Sequence, residues 1–531
     1  MKKFGEVSII RPSDYTISVM KRRSKAYLER KFKSGDYVGK DGAAVLNELF
    51  AFYDNALRSA IPALASRDVA ELLLFQYDEC QKIFHGEGII DLVERREWKE
   101  IEGTLRRAIK YMVELVCCEA PGETAPVPKD LAVGVFEIAL FSAESAANLA
   151  EMSERTHSTF PDQFFVQLDF SLSSDFVAVG IKGRNEGFDE RFDDRIRKDR
   201  GSREDYLEQP QYDIRAEDHC EFLDDAFLKD FGATYGEFLY ILKETIDGAR
   251  PSPKGFPTLF IHRENLISQL LEISKLSKYA IESAIDGFTV NPEVLKKEGR
   301  HLWNPKQPSR ALRRGFFLFP HPTGVHLAFS HAMAMENLIH LVNSVPYQKI
   351  PSEWATPATN KAAKSLSNEA GDWFEKQVCS NLEGLGYEGS GAKNRVWYRG
   401  QSLPIPREVG QLDYLGFDSN QNLILFIECK MSLTGLEARF WRDDLDRFVG
   451  RDKSHRAQTL RKAKWVYENR QEIGDCFGIS RPCKVAVALV TLYPCIADEV
   501  IEEFRCISLA ELMIDHKKFG EWPYSVFETP A

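Results

Sequence analysis

The sequence predicts a multidomain protein, with a mainly helical (α+β) N-terminal region followed by an α/β domain in which helices flank a central mixed sheet. Three observations favour this class. The chain has 531 residues, which is too long for one hydrophobic core and predicts roughly two to four domains. Apolar residues recur at helical spacing through the first 160 positions. In the last third, segments typical of a helix, a hairpin, a second helix and a strand follow one another.

Composition and charge limit the function classes. A hydrophobic content of 44% and a charged content of 28% are ordinary for a soluble globular protein. The formal net charge of -11 gives no overall attraction to nucleic acid, so such binding needs local basic patches or bound metal. No apolar run approaches the ~18 residues that span a bilayer, and the first residues lack a secretory signal. The ten cysteines form no CxxC pair, which predicts reduced cysteines in a cytoplasmic protein.

The first two thirds of the chain divide into two predicted regions. Residues 1–160 are mainly helical. Residues 161–350 are a mixed α+β region, because two hairpin patterns, near 166–179 and 315–329, interrupt the helical ones. Within this region, the stretch from 183 to 225 is rich in Arg, Asp and Glu, which predicts a mobile loop or solvated surface.

The stretch Pro346–Pro357 has prolines at both ends and one inside, and Ala358–Ser367 after it has little apolar content. This pattern predicts a linker over residues 351–368. Residues 369–531 form the predicted C-terminal domain. Its first helix is predicted to start at Gly371 and to end at Leu385, where Gly386 follows.

Residues 410–430 are predicted to form a β-hairpin. An apolar run, Leu412–Phe417, meets a polar turn, Asp418–Asn422, and a second apolar run, Leu423–Ile427, follows. Such runs separated by Asp, Ser and Asn are typical of a hairpin. If the turn is centred near Gln421, residues equidistant from it face each other.

Three charged side chains are predicted to meet at one end of this hairpin. Asp413 lies across from Cys429, within about one residue of register, and therefore beside Glu428. Glu428 and Lys430 project to the same face, because side chains alternate along a strand. Two buried carboxylates need a neutralising cation, and their oxygens suit Mg²⁺ or Mn²⁺ better than zinc or copper. The alternative is an ordinary edge hairpin whose charged residues point to solvent.

These residues carry a family resemblance. Asp413, followed by Glu428-x-Lys430, resembles the core motif of the PD-(D/E)XK nuclease superfamily, in its Mrr-like restriction-endonuclease branch. Leu412 stands where the family motif has proline, and Glu408 is an alternative to Asp413 as the anchoring acid. The resemblance covers about a quarter of the chain.

Flanking segments extend the resemblance. The helical segment Gly371–Val378 resembles the family's first helix, whose glutamate would be Glu375. The segment Lys453–Arg461 resembles the helix that carries a glutamine, here Gln458, and the strand pattern Lys484–Thr491 follows it. The resemblance therefore implies a restriction-endonuclease-like α/β domain.

The resemblance also implies metal-dependent hydrolysis of DNA phosphodiester bonds and a set of site residues. Lys430 would orient or deprotonate the attacking water and stabilise the negative charge that develops. Gln458 would position the active-site strand or a phosphate. The cofactor would be Mg²⁺ or Mn²⁺. Its expected ligands are Asp413, Glu428, the backbone carbonyl of Cys429, and Glu375.

A locally basic stretch with interleaved aromatic residues follows the Glu-x-Lys strand. Basic side chains beside a nuclease site add a salt-dependent affinity for phosphates that is blind to sequence. The alternative is a helix with a solvated face. The candidates for nucleic-acid binding are Arg447, Arg451, Lys453, Arg456 and Arg461.

The expected function is a Mg²⁺-dependent endonuclease that acts on DNA in restriction or phage defence, with the N-terminal region sensing or selecting the target. The alternatives are a nuclease for RNA or for branched or damaged DNA in repair, and a non-catalytic nucleic-acid-binding module. The expected partner is DNA, with RNA as the alternative, and no membrane. A homo-oligomer is expected because one such site cuts one strand, and the N-terminal region is a candidate surface for a partner protein.

Overall fold

The computed structural model of the chain contains two compact units, each built from several stretches of sequence. The first unit consists of Met1–Ser153, Phe164–Gly180 and Tyr212–Ser365. The second unit consists of Glu154–Gln163, Ile181–Gln211 and Leu366–Ala531. The structure describes residues 1–85, 91–119, 129–159, 163–173, 175–182, 187–207, 216–249, 258–298, 309–398, 400–432, 438–450, 452–479 and 482–528.

The helices of the described residues are numbered in chain order. They are α1 (Asp14–Glu29), α2 (Gly39–Leu64), α3 (Arg67–Phe84), α4 (Leu92–Glu119), α5 (Lys129–Thr159), α6 (Phe188–Ser202), α7 (Ala216–Phe231), α8 (Tyr235–Asp247), α9 (Arg263–Ser274), α10 (Lys278–Gly287), α11 (Pro292–Glu298), α12 (His331–Ser344), α13 (Pro357–Gly384), α14 (Ala438–Phe448), α15 (His455–Glu468), α16 (Arg470–Cys476) and α17 (Leu509–Phe519). Short 3₁₀ helices lie at Arg203–Asp205, Val345–Tyr347 and Ile496–Glu499.

The strands are numbered in the same way. They are β1 (Lys2–Phe4), β2 (Val7–Ile9), β3 (Gly35–Val38), β4 (Phe164–Leu168), β5 (Val177–Ile181), β6 (Thr258–His262), β7 (Thr289–Val290), β8 (Phe316–His321), β9 (Gly324–Ser330), β10 (Glu388–Ala392), β11 (Arg395–Tyr398), β12 (Gln401–Pro404), β13 (Leu412–Asp418), β14 (Leu423–Lys430), β15 (Lys484–Thr491) and β16 (Arg505–Ser508). Within the described residues their sheets have the orders β1-β2, β3-β4-β5, β6-β9-β8-β7, β11-β12 and β10-β13-β14-β15-β16.

Helices and a sheet share the main core of the first unit. Helix α4 buries Leu105, Ile109, Met112 and Val116, at spacings of three and four residues that fit the 3.6-residue turn. These side chains lie in one apolar cluster with Phe317 of β8. The two hairpins predicted in this part of the chain are present as β4 with β5 and β8 with β9. The predicted mixture of helices and sheets is therefore confirmed at the level of fold class.

One described segment, Ala132–Ser153 of α5, is long and apolar enough to cross a membrane by length and composition. In the structure, 44% of its most apolar window is buried, and Ala139, Leu140 and Ala143 belong to the main apolar cluster. A core helix with one apolar side passes the same test. This segment therefore contributes to the core of the first unit.

The charged stretch predicted as a mobile loop or solvated surface contains helix α6, so the mobile-loop alternative is wrong there, whereas many charged side chains of this helix are exposed, as the solvated-surface alternative predicts. Phe188 and Phe192 contact Trp441, with ring centroids 6.2 and 5.3 Å apart. Arg195 Nε donates a hydrogen bond to Glu511 Oε1 at 2.6 Å. These partners are far away in sequence, so the local charge pattern could not reveal them.

Helix α13 extends through most of the predicted linker. It begins at Pro357, where a proline is favourable because the first N–H of a helix needs no intrahelical partner. The Thr359 N–H donates to Thr356 Oγ1 at 3.1 Å, which caps this end. The predicted start at Gly371 was therefore too late, whereas Gly386, with φ of +90°, follows the helix end as predicted.

The central sheet of the second unit is mixed. Strands β10, β13 and β14 are antiparallel neighbours, and β14, β15 and β16 are parallel neighbours. Side chains alternate between two apolar clusters, with Phe426 beside Ala463 of α15 and Leu425 beside Phe374 of α13. Helices therefore cover both faces. The predicted hairpin β13–β14 is confirmed, and so is the strand predicted at Lys484–Thr491, which is β15.

Candidate functional site

The hairpin β13–β14 brings two carboxylates to one end of the sheet. Tyr414 pairs with Ile427, and the next step of this antiparallel register sets Asp413 opposite Glu428. Opposite residues of an antiparallel pair project to the same face. The predicted partner of Asp413, Cys429, is one residue away, which is within the margin of the prediction.

One ammonium group lies beside both carboxylates. Lys430 Nζ donates to Glu428 Oε1 at 2.8 Å and lies 3.7 Å from Asp413 Oδ2. The same Asp413 oxygen accepts a hydrogen bond from the Cys429 N–H at 2.9 Å. Glu428 is 1% exposed and Asp413 is 6% exposed. Because two buried carboxylates are unfavourable without positive charge, the Lys430 ammonium stabilises their proximity.

A second lysine, which sequence reasoning did not assign to the site, contacts the same glutamate. Lys462 on α15 donates to Glu428 Oε2 at 2.6 Å and is only 8% exposed. Each oxygen of Glu428 therefore faces one ammonium group. The sequence contained a signal for this contact. Lys462 lies four residues after Gln458, which was predicted to belong to the site, and residues four apart lie on the same face of a helix.

The carboxyl groups at this end of the sheet hinder one another's ionisation. Burial, and then the Asp413 and Asp372 carboxylates, raise the pKa of Glu375 on α13 to about 7. Burial and then Glu428 raise the pKa of Asp413 above its ordinary value, although the lysines act against this rise. Burial acts to lower the pKa of Lys430, but the Glu428 and Asp413 carboxylates raise it above its ordinary value. Added positive charge would therefore be stabilised at this place.

The side chain of Cys429 lies on the opposite face of the sheet. It is buried in the apolar cluster that includes Val378 of α13. Burial raises the pKa of the Cys429 thiol well above its ordinary value. The thiol therefore belongs to the apolar core. The group of Cys429 that contacts the site is its backbone N–H, which donates to Asp413.

Two further candidates have surroundings of their own. Gln458 Nε2 donates to the Lys453 carbonyl at 3.0 Å, and its role in the site stays a prediction. The same helix carries Lys462, which contacts Glu428. Glu408, the alternative anchoring acid, is exposed, whereas Asp413 is buried.

The candidates for nucleic-acid binding have different environments. Arg456 Nε donates to Glu503 Oε2 at 3.1 Å, so this guanidinium is already engaged by a carboxylate. Arg447 is exposed and lies 3.7 Å from an oxygen of Asp444. Lys453 and Arg461 are exposed, and Arg451 lies outside the described residues.

A histidine that sequence reasoning missed lies close to the lysines. Burial, and then Lys430 and Arg447, lower the pKa of His455 to about 4. Its ring packs on Phe448, with centroids 4.9 Å apart, and its Nδ1 is buried without a hydrogen-bond partner in the described structure. His455 is therefore neutral near pH 7 and adds no positive charge to the site. A single histidine at a helix start gives no sequence signal for this position.

Fold and site together define an α/β unit with an acid–acid–lysine cluster at one end of a mixed sheet. Within the described residues, no group of three or more His, Cys, Asp or Glu side chains is arranged to hold a metal ion. Comparison with known proteins identifies no relative, since no protein-family model, curated protein or solved structure matches the chain.

Proposed function

We propose that the second unit is a metal-dependent nuclease that hydrolyses DNA phosphodiester bonds. The observation that carries the proposal is the position of the Lys430 ammonium, 2.8 Å from Glu428 and 3.7 Å from Asp413. A buried acid–acid–lysine cluster has no evident value for folding alone, because apolar residues of similar volume are usually at least as stabilising.

The order of elements supports a restriction-endonuclease-like domain. Helix α13 is followed by β10, β13 and β14, then by α14, α15 and α16, and then by β15, which is parallel to β14. The resemblance to the PD-(D/E)XK superfamily implies this sequence of helix, hairpin, helix and strand around a mixed sheet. The small hairpin β11–β12 is an insertion between β10 and β13.

The chemistry of the donor set fits Mg²⁺ or Mn²⁺. Asp413 and Glu428 would hold the ion, and the Cys429 carbonyl and Glu375 would complete the oxygen ligands. The two carboxylates already share one cation, the Lys430 ammonium. When bound, the metal supplies Lewis-acid stabilisation of charge on the phosphate and lowers the pKa of water.

The two lysines have different roles in this proposal. The Lys430 ammonium, which is partly exposed, would orient the attacking water and stabilise the negative charge that develops on the phosphate. Lys462 is a positioning residue, because its ammonium holds the second oxygen of Glu428. This arrangement fixes the rotation of the Glu428 carboxylate toward Asp413. The role first expected for Gln458 passes to Lys462 in this proposal.

A non-catalytic nucleic-acid-binding module is the second candidate. One observation favours it, namely that each oxygen of Glu428 already has an ammonium partner, so this carboxylate is neutralised without a metal. The outward Lys453 and Arg461 would then provide phosphate contacts.

The wider role in restriction or defence rests on resemblance alone, whereas the location is inferred from the cysteines and the oligomer from the need to cut two strands. A function in restriction or phage defence, a cytoplasmic location, a homo-oligomer that cuts both strands and a sensing role or partner-protein surface in the first unit belong to the proposal. A nuclease that acts on RNA or on branched or damaged DNA shares the same site chemistry, so the choice of substrate must come from assays.

The direct test is a Mg²⁺ titration of the full chain and its Asp413→Ala variant on plasmid, single-stranded DNA, branched DNA and RNA. We expect DNA cleavage that requires Mg²⁺ and falls by at least about 10²-fold in the variant, because the anchoring carboxylate is lost. Lys430→Ala should lose cleavage to a similar extent. Full cleavage by either variant contradicts the site assignment, and tight metal-independent binding without cleavage favours the binding module.

A further inference from the structure

The inserted hairpin β11–β12 leaves the sheet beside the candidate site. Ala392 at the end of β10 pairs with Leu412 at the start of β13, and Asp413 is the next residue. Gly391 approaches the Asp413 carbonyl so closely that an added Cβ would lie 3.0 Å from that oxygen. The Ile405 N–H donates to the carbonyl of residue 394 at 2.9 Å, which closes the base of the hairpin.

The inner side of the hairpin is fixed to the core. Val396 and Ile405 are buried in the apolar cluster that also contains Leu412 and Phe417. Each strand has four residues, so the hairpin extends about 13 Å. A packed element of this size presents its outer side in a defined position.

The outer side carries an exposed indole. Trp397 is 67% exposed, because it alternates with the buried Val396 along the strand. Arg395 projects to the same side and its Nη2 donates to Ser402 Oγ at 2.9 Å. Five tryptophans elsewhere in the described chain are buried, namely Trp98, Trp354, Trp441, Trp465 and Trp522. Tryptophan is enriched at the surfaces with which proteins bind their partners.

The charge of the segment that contains the hairpin is complementary to phosphate. Residues 393–407 contain four basic side chains and no Asp or Glu, and the exposed Glu408 follows them, in a chain whose net charge is -11. Lys393, Arg395 and Arg407 are exposed, and the fourth, Arg399, is counted from the sequence because it lies outside the described residues. A basic segment with an exposed aromatic ring is the pattern of proteins that bind unpaired nucleic acid.

We propose that hairpin β11–β12 binds a single-stranded or locally unpaired stretch of nucleic acid, with Trp397 stacked on a base and Lys393, Arg395 and Arg407 on phosphates. This inference rests on the proposed function and specifies how its substrate is engaged. An indole stacks on the face of a base, and base faces are covered inside a duplex. The hairpin therefore favours unpaired strands over duplex.

Binding of the full chain to fluorescent oligonucleotides in EDTA tests this without cleavage. Trp397→Ala should weaken binding to a single strand by about tenfold or more and leave binding to the matching duplex nearly unchanged. Trp397→Phe keeps a stacking ring and should retain most of the affinity. Phe519→Ala removes another exposed aromatic ring of the second unit, at 58% exposure, and should bind both oligonucleotides like the wild type.

Two further readouts separate stacking from phosphate contact. Single strands should quench the indole emission of the wild type more than that of Trp397→Phe, because the stacked indole is lost in the variant. The double variant Lys393→Ala with Arg407→Ala should lower the dependence of log affinity on log salt by about 1.4, since each phosphate contact to a single strand contributes about 0.7.

The outcomes distinguish this inference from the nuclease proposal. Unchanged single-strand affinity in Trp397→Ala, or equal losses for single strand and duplex, overturns the inference even if the wild type cleaves DNA. Selective loss of single-strand binding supports it even if no cleavage is found, in which case the nuclease proposal alone is contradicted.

Discussion

At the scale of single residues, Glu428 is the most constrained group of the site. Its buried carboxylate accepts hydrogen bonds from Lys430 at one oxygen and from Lys462 at the other. Removing one partner from a buried ion pair is costly because the other charge remains buried. A substitution of Lys462 therefore tests how the buried carboxylates of the site are neutralised better than substitutions of the exposed basic residues do.

We expect Lys462→Met to destabilise the protein by about 2–3 kcal/mol, less than for an isolated buried pair because Lys430 still contacts Glu428. Urea denaturation of the full chain measures this loss. Lys464→Met is the matched control on the same helix, since Lys464 is exposed and lies 3.8 Å from Glu468. It should change stability by less than about 0.5 kcal/mol. Equal effects of the two substitutions would show that the Lys462 contact is not formed.

Glu375 gives the site a pH dependence. The folded protein keeps its proton up to about pH 7, whereas the unfolded chain loses it near the ordinary value of 4.5. The unfolded state therefore binds fewer protons in this window, and the contribution of Glu375 to stability is lost as pH rises from about 4.5 to 7.

The glutamine of Glu375→Gln stays neutral at every pH. The free energy of unfolding of this variant minus that of the wild type should therefore increase over this window and keep the increase at about pH 8. Urea denaturation at several pH values measures the difference. Glu369→Gln, at an exposed position of the same helix, should show no such trend. A pH-independent difference between the wild type and Glu375→Gln would mean that this carboxyl group ionises normally.

Sequence reasoning reached the charged residues of the hairpin because their proximity follows from local rules. Alternation sets Glu428 and Lys430 on one face, and the turn sets Asp413 near them to within one residue. Lys462 was harder to find, because its contact depends on how α15 packs over the sheet. The spacing of Lys462 from Gln458 predicts the contact with Glu428 only if helix α15 is known to face the site.

At the scale of elements, the strands were more predictable than helix α6. Strands β13, β14 and β15 are buried apolar runs bounded by polar turns, and the sequence shows this pattern directly. Helix α6 is instead rich in charge, and its stabilising contacts include ion pairs to residues some 300 positions later and the packing of two phenylalanines on Trp441. Composition alone therefore indicated a solvated segment.

The ion pairs of α6 give a prediction at this scale. Arg195 donates to Glu511 at 2.6 Å and lies 3.4 Å from Asp498, and its side chain is largely buried. Arg195→Ala should destabilise the protein by about 3 kcal/mol, because the buried Glu511 carboxylate loses its cation, whereas Asp498 keeps its ion pair with Arg505. Arg197→Ala on the same helix removes an exposed pair with Asp194 and should cost less than about 0.5 kcal/mol. Urea denaturation distinguishes the two, and similar losses would contradict the role of α6 as a packed element.

At the scale of the whole molecule, each unit is assembled from separate stretches of the chain. The second unit combines residues 154–163 and 181–211 with residues 366–531, whereas the sequence predicted a C-terminal domain in one continuous segment, residues 369–531. Composition and proline content divide a sequence into continuous segments. They contain no information on whether a helix from one segment packs against another segment.

A fragment comprising residues 351–531 tests this assembly. Without α6, the ring of Trp441 loses Phe188 and Phe192, and Glu511 loses its cation. We expect the fragment to unfold at lower urea concentration than the second unit of the full chain and to be stabilised by an added peptide of residues 181–207. Circular dichroism with and without the peptide measures this. A fragment as stable as the full chain, with no response to the peptide, would contradict the division.

The claim that Asp413 and Glu428 hold one cation is tested most directly by anomalous diffraction from crystals of the full chain grown with Mn²⁺. We predict an anomalous peak in contact with both carboxylates, with the Lys430 ammonium displaced from its position beside Asp413. Crystals that lack a peak there at a Mn²⁺ concentration saturating any cleavage, or that keep the ammonium beside both carboxylates, would contradict it.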